Sequence, residues 1–156
     1  MPGLCYEDFE VGRIYRHDGS RSVTMFDNIW HTCMTLNPQP LHLSRDFAEK
    51  KTPARRNLFN SFYTLSIVIG QTVTDLTRGT LIETVGMADI QYPRPVFDGD
   101  TLYSRTTVLG KEEPAEGPGG IVELLHEGFN QDEQLVATCK RRVRVRTRAE
   151  AIREPD

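Results

Sequence analysis

The sequence predicts an α+β domain in which an antiparallel sheet wraps around one long buried helix. Three observations predict it. Residues 58–76 crowd Leu, Phe, Tyr, Ile and Val with no charge between Arg56 and Asp75, and a helix apolar on nearly every side belongs in a core. Residues 80–92, 101–112, 120–130 and 134–147 are rich in Val, Ile, Leu, Thr and Tyr and are parted by turn-forming segments, which is the pattern of successive hairpin strands. The chain has 156 residues, enough for one domain that buries its own core without disulfide or metal.

The elements follow in order. Tyr6 to Gly12 reads as a docked arm ending in a turn, and residues 20–24 as a short strand. Thr24, followed by Met25, Phe26 and Asp27, makes a capping box with Asp in place of Glu. Phe26, Ile29, Trp30, Cys33 and Met34 then fall at helical spacing and form an apolar face. The helix stops before Pro38, because the residue ahead of a proline avoids the α region. Residues 37–43 carry two prolines, which argues against helix and inner strand alike. Ser44 caps a short helix reaching about Lys50, and 51–57 is a polar loop. The helix over 58–76 is about 27 Å long at 1.5 Å per residue, too short for a bilayer. Pro93-Arg94-Pro95 through Asp98-Gly99-Asp100, the Pro/Gly-rich 114–120 and Asn130 to Glu133 separate the strands.

Composition excludes several classes. Nineteen Lys and Arg against 22 Asp and Glu give a net charge of -3, which argues against a general nucleic-acid binder. Cys5, Cys33 and Cys139 are too few and too widely spaced for a disulfide framework or a zinc site, so no metal is expected. The first ten residues carry acids and no apolar run, unlike a signal peptide, and no stretch approaches a membrane span. The expectation is a soluble protein of a reducing compartment, the cytoplasm, away from membranes.

The unusual chemistry lies in 37–42. His42 follows a rigid Pro-x-Pro stretch and stands near Asn37 and Gln39. A stiff backbone beside a titratable imidazole is what a positioned general acid or base needs. The plainer alternative is a loop histidine that caps a helix or binds a carbonyl.

The run Asn37-Pro38-Gln39-Pro40-Leu41-His42 resembles the hydratase motif of the MaoC-like, (R)-specific enoyl-CoA hydratase family, Asp-x-Asn-Pro-(Ile/Leu)-His. Ser44-Arg45-Asp46-Phe47-Ala48-Glu49 is similar to the family's Asp-Pro-Glu-Phe-Ala helix. Residues 58–64, Leu-Phe-Asn-Ser-Phe-Tyr-Thr, resemble its (Ile/Val)-x-His-Gly-Met-Leu-Thr helix start. Tyr92 to Leu102 looks like its Phe-x-x-Pro-Val-x-x-Gly-Asp-Thr-Leu junction. The resemblance implies a single hot-dog domain over 1–156, with a helical excursion over 25–57 that carries the site loop. It implies an enzyme that adds water reversibly to a 2-enoyl-CoA thioester. Coenzyme A would enter as part of the substrate, with no other cofactor, and the chain would form a homodimer or an assembly of dimers. The wording of the motifs is most similar to the branch acting on mesaconyl-CoA and itaconyl-CoA, whose acyl groups are branched and dicarboxylic.

Two departures bear on mechanism. Asn37 stands where the family has its catalytic Asp. It cannot titrate, though it can orient a water. Either His42 transfers the protons alone with Asn37 and Gln39 holding the water, or another acid (Asp27, Asp46 or Asp89) substitutes, or the chain is an inactive relative. Asn60-Ser61 replaces the family's His-Gly, whose backbone N–H binds the thioester oxygen at the helix N-terminus. Serine keeps that N–H, while a plain helix cap is the alternative role for the pair.

A second carboxylate on the substrate needs a cation, and Arg55, Arg56 and Arg94 lie in or beside the matched motifs. Arg142, Arg144, Arg146 and Arg148 line one face of the last strand, either for coenzyme A phosphates or as charge that protects an edge. His17 and His126 show no ligand spacing, and His31 could face the 37–42 loop. A hot-dog thioesterase is disfavoured, since the central helix lacks an acid from Asn57 to Thr74. An acyl-CoA-binding module without turnover is the non-enzymatic alternative.

Overall fold

The computed structural model describes residues 3–113 and 116–151. The N-terminal arm is pinned by backbone hydrogen bonds: Gly3 and Leu4 N–H donate to the Arg78 and Leu76 carbonyls, and Tyr6 N–H to that of Arg146. A single 3-10 turn, Tyr6–Asp8, lets Phe9 drop into a core cluster with Leu76, Val108, Val122 and Val143. Gly12 then takes φ +86°, which only glycine adopts without strain, and turns the chain into β1 (Ile14–Arg16). The arm and its turn match the sequence reading. The expected strand over 20–24 is the two-residue β2 (Arg21–Ser22).

α1 (Met25–Met34) starts at the expected capping box: the Asp27 N–H donates to Thr24 Oγ1 and the Thr24 N–H to the Asp27 carboxylate. The helix is inverted, however. Phe26, Trp30 and Met34 are 71%, 60% and 69% exposed, while Asp27, Asn28 and Thr32 are buried. Hydrophobic spacing located the helix but not its inward face, because the polar face makes specific hydrogen bonds beneath it. A second correction falls on 37–43. Pro40–Leu43 forms a one-turn helix, α2, with Pro40 at its first position. The missing N–H costs nothing there, since the first helical N–H groups have no intrahelical acceptor. α3 (Arg45–Lys51) starts as expected, with the Phe47 N–H on Ser44 Oγ.

The central helix, α4 (Ser61–Leu76), begins three residues later than the apolar run. Leu58 bridges to Phe97 and the Phe59 N–H donates to the Val96 carbonyl, so both stay extended. One flank of α4 is open, with Phe62 and Val73 exposed, whereas Leu65, Ile67, Val68 and Leu76 are buried.

β3 (Leu81–Gln91), β4 (Thr101–Glu112), β5 (Gly120–Phe129) and β6 (Leu135–Val145) lie within two residues of the ranges read from sequence. The sheet runs β1-β4-β5-β6-β3, antiparallel throughout, with β2 added on β4. It curls around α4 as a hot-dog domain. Gly128 is where helix and sheet come closest: a Cβ there would lie 2.4 Å from a Val68 methyl. β3 ends the order with β6 as its neighbour and exposes Leu81, Val85, Met87 and Ile90. No helix among the described residues is long and apolar enough to cross a membrane.

Candidate active site

His42 sits on α2, 9% exposed. Its Nδ1 lies 2.7 Å from the Leu58 carbonyl oxygen. A carbonyl only accepts, so Nδ1 carries a proton, and the tautomer of the neutral ring is the one with its lone pair on Nε2. The same carbonyl accepts from Asn28 Nδ2 at 3.0 Å. Asn28 also donates to the His42 carbonyl at 3.2 Å, and its Oδ1 accepts the Asn60 N–H at 2.9 Å. One buried amide of α1 therefore ties together the histidine turn, the strand entering α4 and the start of α4. Sequence reading missed Asn28. Its only signal was a polar residue on an apolar-periodic helix, one position from the stripe.

Asn60 caps α4 through its side chain, accepting the Phe62 N–H at 3.1 Å. The Ser61 N–H is left without a partner among the described residues. It stands at the positive end of a 16-residue helix, where an oxyanion is stabilised by the free donor and the aligned peptide dipoles. Ser61 lines a cavity of about 240 Å³ together with Leu58, Thr64, Tyr92, Arg94 and Val136. Leu58 thus belongs to both the cavity wall and the histidine anchor. His42 is not itself among the residues lining that cavity; Leu58 is the link between the imidazole and the cavity wall that includes Ser61.

The family model of the MaoC like domain matches residues 8–127. The chain belongs to this family. A mesaconyl-CoA hydratase from Cereibacter sphaeroides is 29% identical over 154 residues, covering 98% of this chain and 44% of the relative. A beta-methylmalyl-CoA dehydratase from Chloroflexus aurantiacus is 31% identical over 147 residues, covering 94% and 41%. This chain therefore spans less than half the length of either relative. Among solved structures, a monoamine oxidase regulatory protein from Archaeoglobus fulgius superposes with a TM-score of 0.83 at 26% identity, over 94% of this chain and 97% of the other.

The remaining candidates of this MaoC-like chain are distributed unevenly. Asn37 is half-buried, and its Oδ1 accepts the Gln39 N–H at 3.0 Å, an Asx turn that presents α2. The Gln39 side chain is exposed. Arg55 is exposed with φ +51°. Arg56 is engaged elsewhere, on the Asp98 carbonyl at 3.2 Å and over the Phe97 ring. Of the three arginines, Arg94 is the one lining the cavity, and it has no partner among the described residues.

None of the substitute acids stands free. Asp27 holds Arg21 and the Thr24 cap, Asp46 pairs with Lys50, and Asp89 with Lys140. His31 does reach the region. It stacks on Tyr63 at 4.8 Å, and burial, then the neighbouring His42, push its pKa down. The arginine ladder is tied to its own chain: Arg142 to Glu112, Arg144 to Glu83 and Arg148 to Asp8, with Arg146 on the Glu150 carbonyl. Arg141, on the opposite face, is buried against Thr84.

Proposed function

We propose that this chain catalyses the reversible addition of water to the double bond of a 2-enoyl-CoA thioester. The acyl group in this reading is branched and carries a second carboxylate, as in mesaconyl-CoA or itaconyl-CoA. The observation that carries the reading is the His42–Leu58 hydrogen bond, which ties the imidazole through Nδ1 to a residue that itself lines the cavity containing Ser61. Nε2 takes a proton from water as the oxygen adds to the β-carbon. The electron pair of the double bond moves to the thioester oxygen, where the Ser61 N–H and the helix dipole hold the charge. The imidazolium then returns its proton to the α-carbon, so that one water is added and the base is regenerated. The Asn37 amide NH2 remains available to orient the water. Coenzyme A enters as part of the substrate, and the mechanism calls on no other cofactor. The names of the two relatives support the substrate class. A thioesterase reading has no carboxylate along α4 before Asp75, which is itself bonded to His17.

The proposal includes a homodimer. β3 presents an edge unpaired among the described residues, with Leu81, Val85, Met87 and Ile90 exposed, and α1 presents Phe26, Ile29, Trp30 and Met34. Such a surface fits a second hot-dog unit, and relatives of more than twice the matched length have room for one within a single chain. The test is turnover of mesaconyl-CoA, itaconyl-CoA and crotonyl-CoA by the wild type and His42→Ala, followed by enoyl absorbance and by mass for gain of water. Hydration by the wild type that falls at least ~10²-fold in the variant is the expected result. A wild type that hydrates none of the three defeats the proposal.

A further inference from the structure

We propose that Tyr92 is a specificity-determining residue: its hydroxyl, together with Arg94, receives a second carboxylate on the acyl group. The proposal rests on the hydratase reading above and names the group that reading leaves unassigned. It begins with strand parity. On β3, Met87 pairs with the inward-facing Arg141 of β6. Strict alternation would then send 89, 91 and 93 to the concave face. The register breaks, however: Ala88 pairs with Lys140 and Gln91 with Thr138, so three steps on β3 meet two on β6. The extra residue is a β-bulge. Asp89 takes φ +50°, sparsely populated for a non-glycine residue, and is held by Lys140 at 2.8 Å. A one-residue slip exchanges the faces. Tyr92 is thereby turned onto the concave side, beside the buried Cys139.

There its ring lines the cavity that also holds Ser61 and Arg94. Its hydroxyl has no hydrogen-bond partner among the described residues and lies closed to water beneath the cavity wall, so a carboxylate in the cavity reaches it through a small turn of the ring. A buried hydroxyl without a partner is unfavourable, and such groups are uncommon unless something completes them. An aliphatic acyl group would leave it incomplete. A carboxylate accepts from the phenol and from an unpaired guanidinium at once, and charge-assisted bonds of this kind are the stronger ones. Leu58, Val96 and Val136 supply apolar walls for the carbon skeleton, and Ser61 marks the thioester end. A strained bulge beside a cavity is also where a fold re-aims a side chain.

The experiment compares wild type, Tyr92→Phe and Arg94→Gln in two assays. The first is kcat and KM for mesaconyl-CoA against crotonyl-CoA, which lacks the carboxylate. The second is calorimetric binding of succinyl-CoA against butyryl-CoA, which needs no turnover. The wild type is expected to favour the dicarboxylic member by about ten- to a hundredfold, the range of a hydrogen bond to a charged group. Each variant is expected to lose that preference through KM and Kd, with mesaconyl-CoA and succinyl-CoA weakened about ten- to a hundredfold more than crotonyl-CoA and butyryl-CoA. Equal effects on both members of a pair, or none, overturn the assignment. So does a Tyr92→Phe protein that changes its oligomeric state but not its selectivity. A wild type that prefers succinyl-CoA without hydrating anything removes the hydratase reading and leaves this one standing. Hydration without preference does the reverse.

Discussion

At the scale of single residues, Asn28 ties the site together although no motif points to it. Its amide fills three hydrogen bonds at 2.9 to 3.2 Å with 1% exposure. Asn28→Ala leaves the buried Asn60 N–H unpaired and is expected to cost roughly 2–4 kcal/mol, since each lost buried partner costs about 1–3 kcal/mol. Asn28→Asp is expected to do worse, because a carboxylate oxygen would face the His42 and Leu58 carbonyls. Denaturant unfolding checks both; an Asp variant as stable as wild type contradicts the assigned amide orientation. His42 was legible because a motif frames it, whereas Asn28 was not. Residue-type periodicity reports how apolar a position is, not which carbonyls lie across from it.

At the scale of elements, Thr106, His126 and Cys139 form one row across β4, β5 and β6. The row continues outward: His126 Nδ1 meets Thr106 Oγ1 at 3.0 Å, which meets His17 Nε2 at 2.9 Å, and His17 Nδ1 meets Asp75 at 2.6 Å. Burial, then the charges of Arg141 and His17, bring the His126 pKa from 6.5 down to about 3. The folded-state value is the lower one, so the unfolded chain binds this proton first as pH falls. The contribution is whole above about pH 6.5 and is lost towards pH 3 at about 1.4 kcal/mol per pH unit. His126→Asn is expected to flatten the fall in stability between pH 6 and 4, measured by urea unfolding; an unchanged slope removes His126 as its source. The four long strands and the caps of α1 and α3 were readable, because hairpin spacing and N-cap chemistry are local. The facing of α1 was not. What makes its polar side the inner one is a set of partners contributed by 42, 58 and 60, far along the chain.

For the whole molecule, the exposed apolar residues of α1 and β3 predict that folding and pairing are linked. If a second copy covers these faces, Tm rises with protein concentration, because the partner binds the native state alone. Val85→Lys on β3 is expected to give monomers by analytical ultracentrifugation and to abolish that dependence. A wild type that sediments as a monomer with a Tm independent of concentration contradicts the dimer. The sheet wrapped around one helix was legible from element order, with one apolar helix followed by four hairpin strands, and the hot-dog fold from the motif resemblance. The open flank was not, since apolar positions read alike whether the chain or a partner covers them. The bulge at Asp89 has one more consequence. An eleven-residue edge strand with alternating apolar side chains is a template on which newly made, still unpaired chains could stack into aggregates. By bending the strand, with Asp89 held to Lys140 of the neighbouring β6, the bulge works as a gatekeeper. It shortens the flat run open to a stranger while leaving a complementary surface free to dock.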